Sequence, residues 1–231
     1  MCGRFALFVS LEKLFQRYNL DALLHSNLYQ EYLPRYNIAP GMDIMAVVRS
    51  KSQNRGGLIP WGLKPAQFKK PGEQLKKLIN ARVESLDTKP TFVPLFKQRR
   101  CLVPANGFFE WHQPSKGQKT PRFCFSKSSD EIFSMAGLWN RWSEKDGVKT
   151  GSVIVTQPAA PNLASIHHRM PLIIPPDWEA AWLNNAHIDL NELMQASVRL
   201  TSEYFTFYQV GLGVNKTSNN HPDLIKPATE R

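Results

Sequence analysis

The chain has 231 residues, 42% hydrophobic and 21% charged, with 29 Lys and Arg against 19 Asp and Glu and a formal net charge of +10. This composition is that of a packed globular chain and excludes the disordered and low-complexity classes. No run approaches the ~18 apolar residues of a membrane span, and the N-terminus lacks the apolar core of a signal peptide, so a soluble cytoplasmic protein is expected. The basic balance points to an anionic partner, of which nucleic acid is the commonest soluble one.

The first patterned segment, "SLEKLFQRYNL", places Leu11, Leu14, Phe15 and Tyr18 at helical spacing behind Ser10 as N-cap. Short extended runs follow: "DIMAVVRS", "RCLVPANGFFEW", "PRFCFSKS", "IFSMAGLWNRW", "GSVIVTQ", "RMPLIIP" and "YFTFYQV". They are rich in β-branched and aromatic residues and bounded by Pro, Gly, Asn or Ser. "PAQFKKPGEQLKK" (65–77) reads as an exposed basic loop. "PDWEAAWLNN" and "DLNELMQAS" read as two late helices, and "NNHPDLIKPATER" as an irregular tail. Strands outnumber helices and do not alternate with them. The expectation is α+β, a mainly antiparallel barrel-like core flanked by helices, in one domain over 1–231 with its core at about 2–225.

Cys2, Cys101 and Cys124 form no C-x-x-C pair, which argues against a disulfide framework or zinc ribbon. Cys101 and Cys124 sit in strand-like runs and read as buried small hydrophobes. Cys2 differs, because removal of Met1 makes it the first residue. An α-amine with a pKa of ~7.7–8.0 then sits beside a thiol of ~8.5. An aldehyde condenses with the amine to an imine, and the thiol adds to the same carbon to close a thiazolidine ring. The closure is intramolecular and favoured by proximity. A polyanion that offers an aldehyde is abasic DNA, whose ring-opened sugar exposes C1′. Single-strand binding combines backbone cations with stacking on aromatic side chains.

Five stretches put polar residues among apolar or Gly/Pro neighbours: "MCGRF" (1–5), "RYNIAPG" (35–41), "LINARVES" (78–85), "NGFFEWH" (106–112) and "SIHHRMP" (165–171). Together, in this order, they resemble the signature stretches of the SOS response-associated peptidase (SRAP) family over nearly the whole chain. The resemblance implies a sensor of abasic sites in single-stranded DNA that crosslinks through Cys2, with autoproteolytic exposure or simple excision of Met1 as its maturation step. It implies Cys2 as nucleophile, Asn80 holding the cysteine amine, Glu110 as acid/base and His167 as the catalytic histidine. For the DNA it implies Arg4, Arg82 and Arg169 on phosphates, Asn37 and Pro40 along the lesion pocket, and Trp61 and Trp111 on flanking bases. "AQFKKPGE" departs from the family pattern after "PWGLKP". The expected assembly is a monomer, associated with the nucleoid in a bacterium, with no membrane contact.

Other classes stay open on the residues alone. Glutamine amidotransferases also begin "MCG" and use an N-terminal cysteine. A peptidase acting on other proteins, and a module that binds single-stranded or modified DNA without chemistry, suit the same charge. "HH" at 167–168 suggests a metal, but neighbours on a strand point to opposite faces and no further ligands complete a set. No cofactor is expected.

Overall fold

The computed structural model describes residues 2–23, 31–64, 77–113, 117–127, 132–144 and 147–228. The basic stretch read as a loop over 65–77 falls, except for Lys77, outside these residues. Strands are numbered in chain order. One sheet has the order β14 (Phe205–Gln209), β9 (Thr120–Ser126), β8 (Gly107–His112), β1 (Phe5–Leu7), β3 (Arg35–Ile38). The other runs β12 (Arg169–Pro171), β11 (Gly147–Pro158), β10 (Phe133–Glu144), β7 (Arg100–Ala105), β4 (Asp43–Ser50), β5 (Gln53–Pro60), β2 (Leu20–Leu23). β13 (Ile173–Ile174) joins β10, and β6 (Asn80–Arg82) joins β11. All pairings are antiparallel except β2 with β5 and β6 with β11. The fold is α+β as expected, and the two sheets wrap around the core without closing into one barrel.

The run "RCLVPANGFFEW", which reads as a single extended segment, divides at Asn106 into strands of different sheets. The Asn106 backbone N–H donates to the Ala6 carbonyl, and its Oδ1 accepts from the Phe8 N–H, both at 2.9 Å. These bonds satisfy the backbone where the chain changes sheets. Gly107 follows because nothing larger fits. A Cβ there would lie 2.2 and 2.5 Å from Phe123 ring atoms and 2.9 Å from the Cys124 carbonyl. β8 is thereby laid along β1, with Phe5 opposite Phe108 and the Phe109 N–H donating to the Arg4 carbonyl at 2.9 Å. That register carries the N-terminus alongside Glu110.

Helix α1 (Leu11–Tyr18) starts as its sequence predicts, the Ser10 hydroxyl accepting from the Lys13 N–H. It ends on Asn19 in the left-handed conformation. α2 (Val93–Gln98) was not legible, since Pro90 and Pro94 break the local pattern, yet Pro94 sits in the first turn, where its missing N–H costs nothing. α3 (Pro176–Leu183) and α4 (Leu190–Tyr204) are the two late helices. Asp189 caps α4 by accepting from the Asn191 and Glu192 N–H groups. α4 runs on to Tyr204, past the segment that the sequence marked.

Buried side chains from Cys2 to Phe205 form one contiguous core. A smaller cluster of Ala6, Phe109, Phe123, Val210 and Val214 covers the other face of β1, β8 and β9. The C-terminal segment closes this face. Among the described residues it carries two 3-10 turns, Leu212–Asn215 and Pro222–Ile225, and it is packed. The Tyr208 hydroxyl donates to the Ile225 carbonyl, and Val210 bridges to Pro227.

Candidate active site

Three distant stretches bear on the N-terminus. Cys2 is fully buried in the main core. The Asn80 Nδ2 donates to the Cys2 carbonyl at 2.8 Å. Asn80 opens β6, which lies parallel to β11 with Asn80 opposite Ile154, so its position comes from the large sheet. Its Oδ1 is buried and has no hydrogen-bond partner among the described residues. An unpaired buried amide oxygen costs about 1–3 kcal/mol, a penalty that a donor arriving there would relieve.

Glu110 is 5% exposed. Burial pushes its carboxyl up from the usual 4.5 to about 7, and the charge of the chain's amino terminus pulls against this. Burial also drives the Cys2 thiol far above its ordinary value, with the Glu110 charge adding to the effect. The amino-terminal charge and the Arg4 backbone N–H act in the opposite direction. The thiol is therefore protonated at neutral pH, whereas Glu110 is poised between its two forms. Cys124, buried opposite Phe108, is likewise held protonated by burial and by the charges of Glu110 and Cys2.

His167 is half-buried. Burial first, then the amino-terminal charge, lower its proton affinity, so the ring is neutral near pH 7. The Arg169 N–H donates to His167 Nδ1 at 2.9 Å. The Arg169 carbonyl lies 3.1 Å from the same nitrogen, so the Arg169 backbone fixes Nδ1 from both its donor and its acceptor. The amino-terminal charge acts on Cys2, Glu110 and His167 alike.

His167 and His168 do not lie on a strand, since β12 begins at Arg169. They sit in a bend, and their rings stack with centroids 4.3 Å apart. The expectation that they face opposite ways is corrected, because the alternation that justified it holds only within a strand.

The residues expected on DNA separate into different environments. Arg82 is exposed. Pro40 is exposed at a turn whose Gly41, at φ +91°, donates its N–H to the Trp61 carbonyl at 2.8 Å. Trp111 is half-buried, its Nε1 donating to Asn215 Oδ1, with the Arg4 guanidinium 5.6 Å from its ring centroid. Arg4 is buried instead of reaching outward. Its Nη1 donates to Asn37 Oδ1 at 2.7 Å and to the Val214 carbonyl at 2.5 Å. Asn37 Nδ2 lies within 3.3 Å of the carbonyls of Val214, Lys216 and Asn219. The two side chains thus latch the C-terminal segment to the strand that leads from Cys2. Trp61 is a core residue with no exposed surface, donating to the Ile79 carbonyl and packed edge-on to Phe5. It presents no face to a base, because a fully buried ring cannot stack on a ligand. Arg169 is 8% exposed, and its guanidinium is gripped by Glu84. Sequence reasoning missed Glu84, although it stands two residues beyond Arg82 in "NARVES".

A family model described as SOS response associated peptidase (SRAP) matches residues 1–217. The abasic site processing protein YoqW of Bacillus subtilis is 36% identical over 98% of this chain and 99% of its own length. The abasic site processing protein YedK of Escherichia coli is 30% identical over 98% and 100%. A crystal structure of a protein from Bacteroides thetaiotaomicron superposes with a TM-score of 0.79, at 25% identity, covering 99% of this chain and all of that one.

Proposed function

Because the chain belongs to the SOS response associated peptidase family, we propose that it processes abasic sites in single-stranded DNA, its Cys2 closing a thiazolidine on the ring-opened sugar once Met1 is removed. The observation that supports this reading is the Asn80 hydrogen bond to a buried Cys2 in a basic protein, with the amino-terminal charge acting on both Glu110 and His167.

With Met1 attached, the Cys2 nitrogen is an amide. Its removal creates the amine, and the maturation is either simple excision or autoproteolysis. The unpaired Asn80 Oδ1 then accepts an N–H of that amine and turns its lone pair toward the aldehyde. Neutral His167 takes the proton of the anomeric hydroxyl and returns it to the ring oxygen as the closed sugar opens. The amine attacks C1′, and protonated Glu110 gives its proton to the departing hydroxyl, so that water leaves and an iminium forms. The Cys2 thiol adds to the iminium carbon. Its proton returns to the Glu110 carboxylate, the nitrogen keeps its remaining N–H, and the five-membered ring closes. A protonated thiol suits this order, since the amine reacts first and the thiol loses its proton only as it adds. Arg82 and Trp111 supply an exposed cation and a partly exposed ring for the strand. Arg4, Asn37 and Pro40 shape the lesion pocket.

The test is intact mass spectrometry of the protein before and after incubation with an abasic oligonucleotide. Loss of Met1 and a one-to-one, heat-stable adduct are expected. Cys2→Ala and Cys2→Ser abolish the adduct while leaving weak binding, and uncleavable residues placed before Cys2 do the same with the thiol intact. An adduct that persists in any of these variants refutes the thiazolidine.

A further inference from the structure

Glu84 lies outside the four residues that touch the chemistry, yet it joins two of the strands that deliver them. It stands in the 3-10 turn Val83–Ser85, directly after β6, the strand that carries Asn80. Its carboxylate takes both arms of the Arg169 guanidinium, Nη1 to Oε1 at 2.5 Å and Nη2 to Oε2 at 3.0 Å. Arg169 opens β12, and Nη2 also donates to the Thr156 carbonyl of β11 at 2.5 Å. The same residue's backbone N–H holds His167 Nδ1 at 2.9 Å. The path from Asn80 to His167 is therefore short: β6, the Glu84 carboxylate, the Arg169 fork, the Arg169 N–H, the imidazole. A two-armed carboxylate–guanidinium contact fixes orientation as well as distance.

We propose that Glu84 is a positioning residue for the crosslinking reaction, acting through Arg169 to set the ring orientation and hold a single tautomer of His167 relative to Asn80 and Cys2. This rests on the reading of Cys2 and His167 given above. The arrangement explains why a guanidinium that is 8% exposed beside the site is spent on a protein carboxylate. It also explains why the Glu84 carboxyl lies below its usual range despite the opposing effect of burial, the Arg169 hydrogen bond being the foremost stabilising cause. Glu84 further lines a cavity of about 840 Å³ shared with Phe96, Arg100 and Asp189, so a glutamine of equal size fits without a clash.

The test is a double-mutant cycle on crosslinking rate with Glu84→Gln, His167→Ala and the double variant, with Glu84→Asp as the conservative change. Glu84→Gln is expected to slow crosslinking about tenfold or more, the scale of a small misplacement of a reacting group. It should add less than about twofold in the His167→Ala background, since it acts only through the imidazole. Glu84→Asp should recover part of the rate. In the free protein, ¹⁵N-histidine NMR should show His167 as one tautomer in the wild type and as a tautomer mixture in Glu84→Gln. Full multiplicative effects of the two substitutions, or an unchanged tautomer, overturn the proposal. So does tighter binding of undamaged single strand by Glu84→Gln with crosslinking as fast as wild type, which would make Glu84 a shield over Arg169. If the wild type forms no adduct, the reading of Cys2 fails, while the NMR comparison still judges Glu84.

Discussion

Glu110→Gln tests the electrostatics of the site without DNA. The carboxyl, 5% exposed, releases its proton near pH 7 in the folded chain and near 4.5 when unfolded. Between these values the native state holds a proton that the unfolded state has lost, so folding stability falls as pH rises through this window. At ~1.4 kcal/mol per tenfold change in proton affinity, the loss is about 3 kcal/mol and is complete above pH 8. Glutamine has nearly the same shape and no charge to bury. The variant should match the wild type to within about 1 kcal/mol at pH 4 and exceed its stability by about 3 kcal/mol at pH 8. Urea denaturation of both proteins at pH 4, 6 and 8 measures this, and taking the difference cancels the histidines that titrate in the same range. Equal stability differences at all three values would refute the argument, since they would mean that Glu110 is ordinarily ionised and merely fills space. The same variant should crosslink at least about 100-fold more slowly, the usual contribution of a positioned acid.

Gly107→Ala forces a methyl to within 2.2 Å of the Phe123 ring and 2.9 Å of a backbone oxygen, and should destabilise the fold by about 1–3 kcal/mol, read as a lowered Tm. The two tryptophans expected on DNA should part company. Trp111→Ala should weaken binding to an undamaged single strand by about 1–3 kcal/mol in fluorescence anisotropy. Trp61→Phe should leave that affinity unchanged and lower stability by about 1–3 kcal/mol, as its Nε1 bond to the Ile79 carbonyl is lost inside the core.

Local physics made much of the molecule legible. The capped start of α1, the Asp189-capped late helix and the strands β4, β9, β10 and β11 follow from periodicity and end signals that act within a few residues. The special character of Cys2 also needed no fold. An amine and a thiol on adjacent carbons are a covalent property of an N-terminal cysteine, and the +10 charge is a sum over the composition.

What the tertiary structure decided is where each polar side chain spends its hydrogen bonds. Arg4, Arg82 and Arg169 look alike in the sequence, yet one latches the C-terminal segment, one faces solvent and one is locked to Glu84. Trp61 and Trp111 differ only in burial, which depends on the sheets closing over the first and not the second. The split of "RCLVPANGFFEW" between two sheets rests on Asn106 bonds to residues about a hundred positions away. The protonation of Glu110 and Cys2 likewise comes from desolvation, a property of everything packed around them. Cys2 carries its chemistry in its covalent structure, whereas the acid, the tautomer and the latch that serve it exist only once distant strands have met.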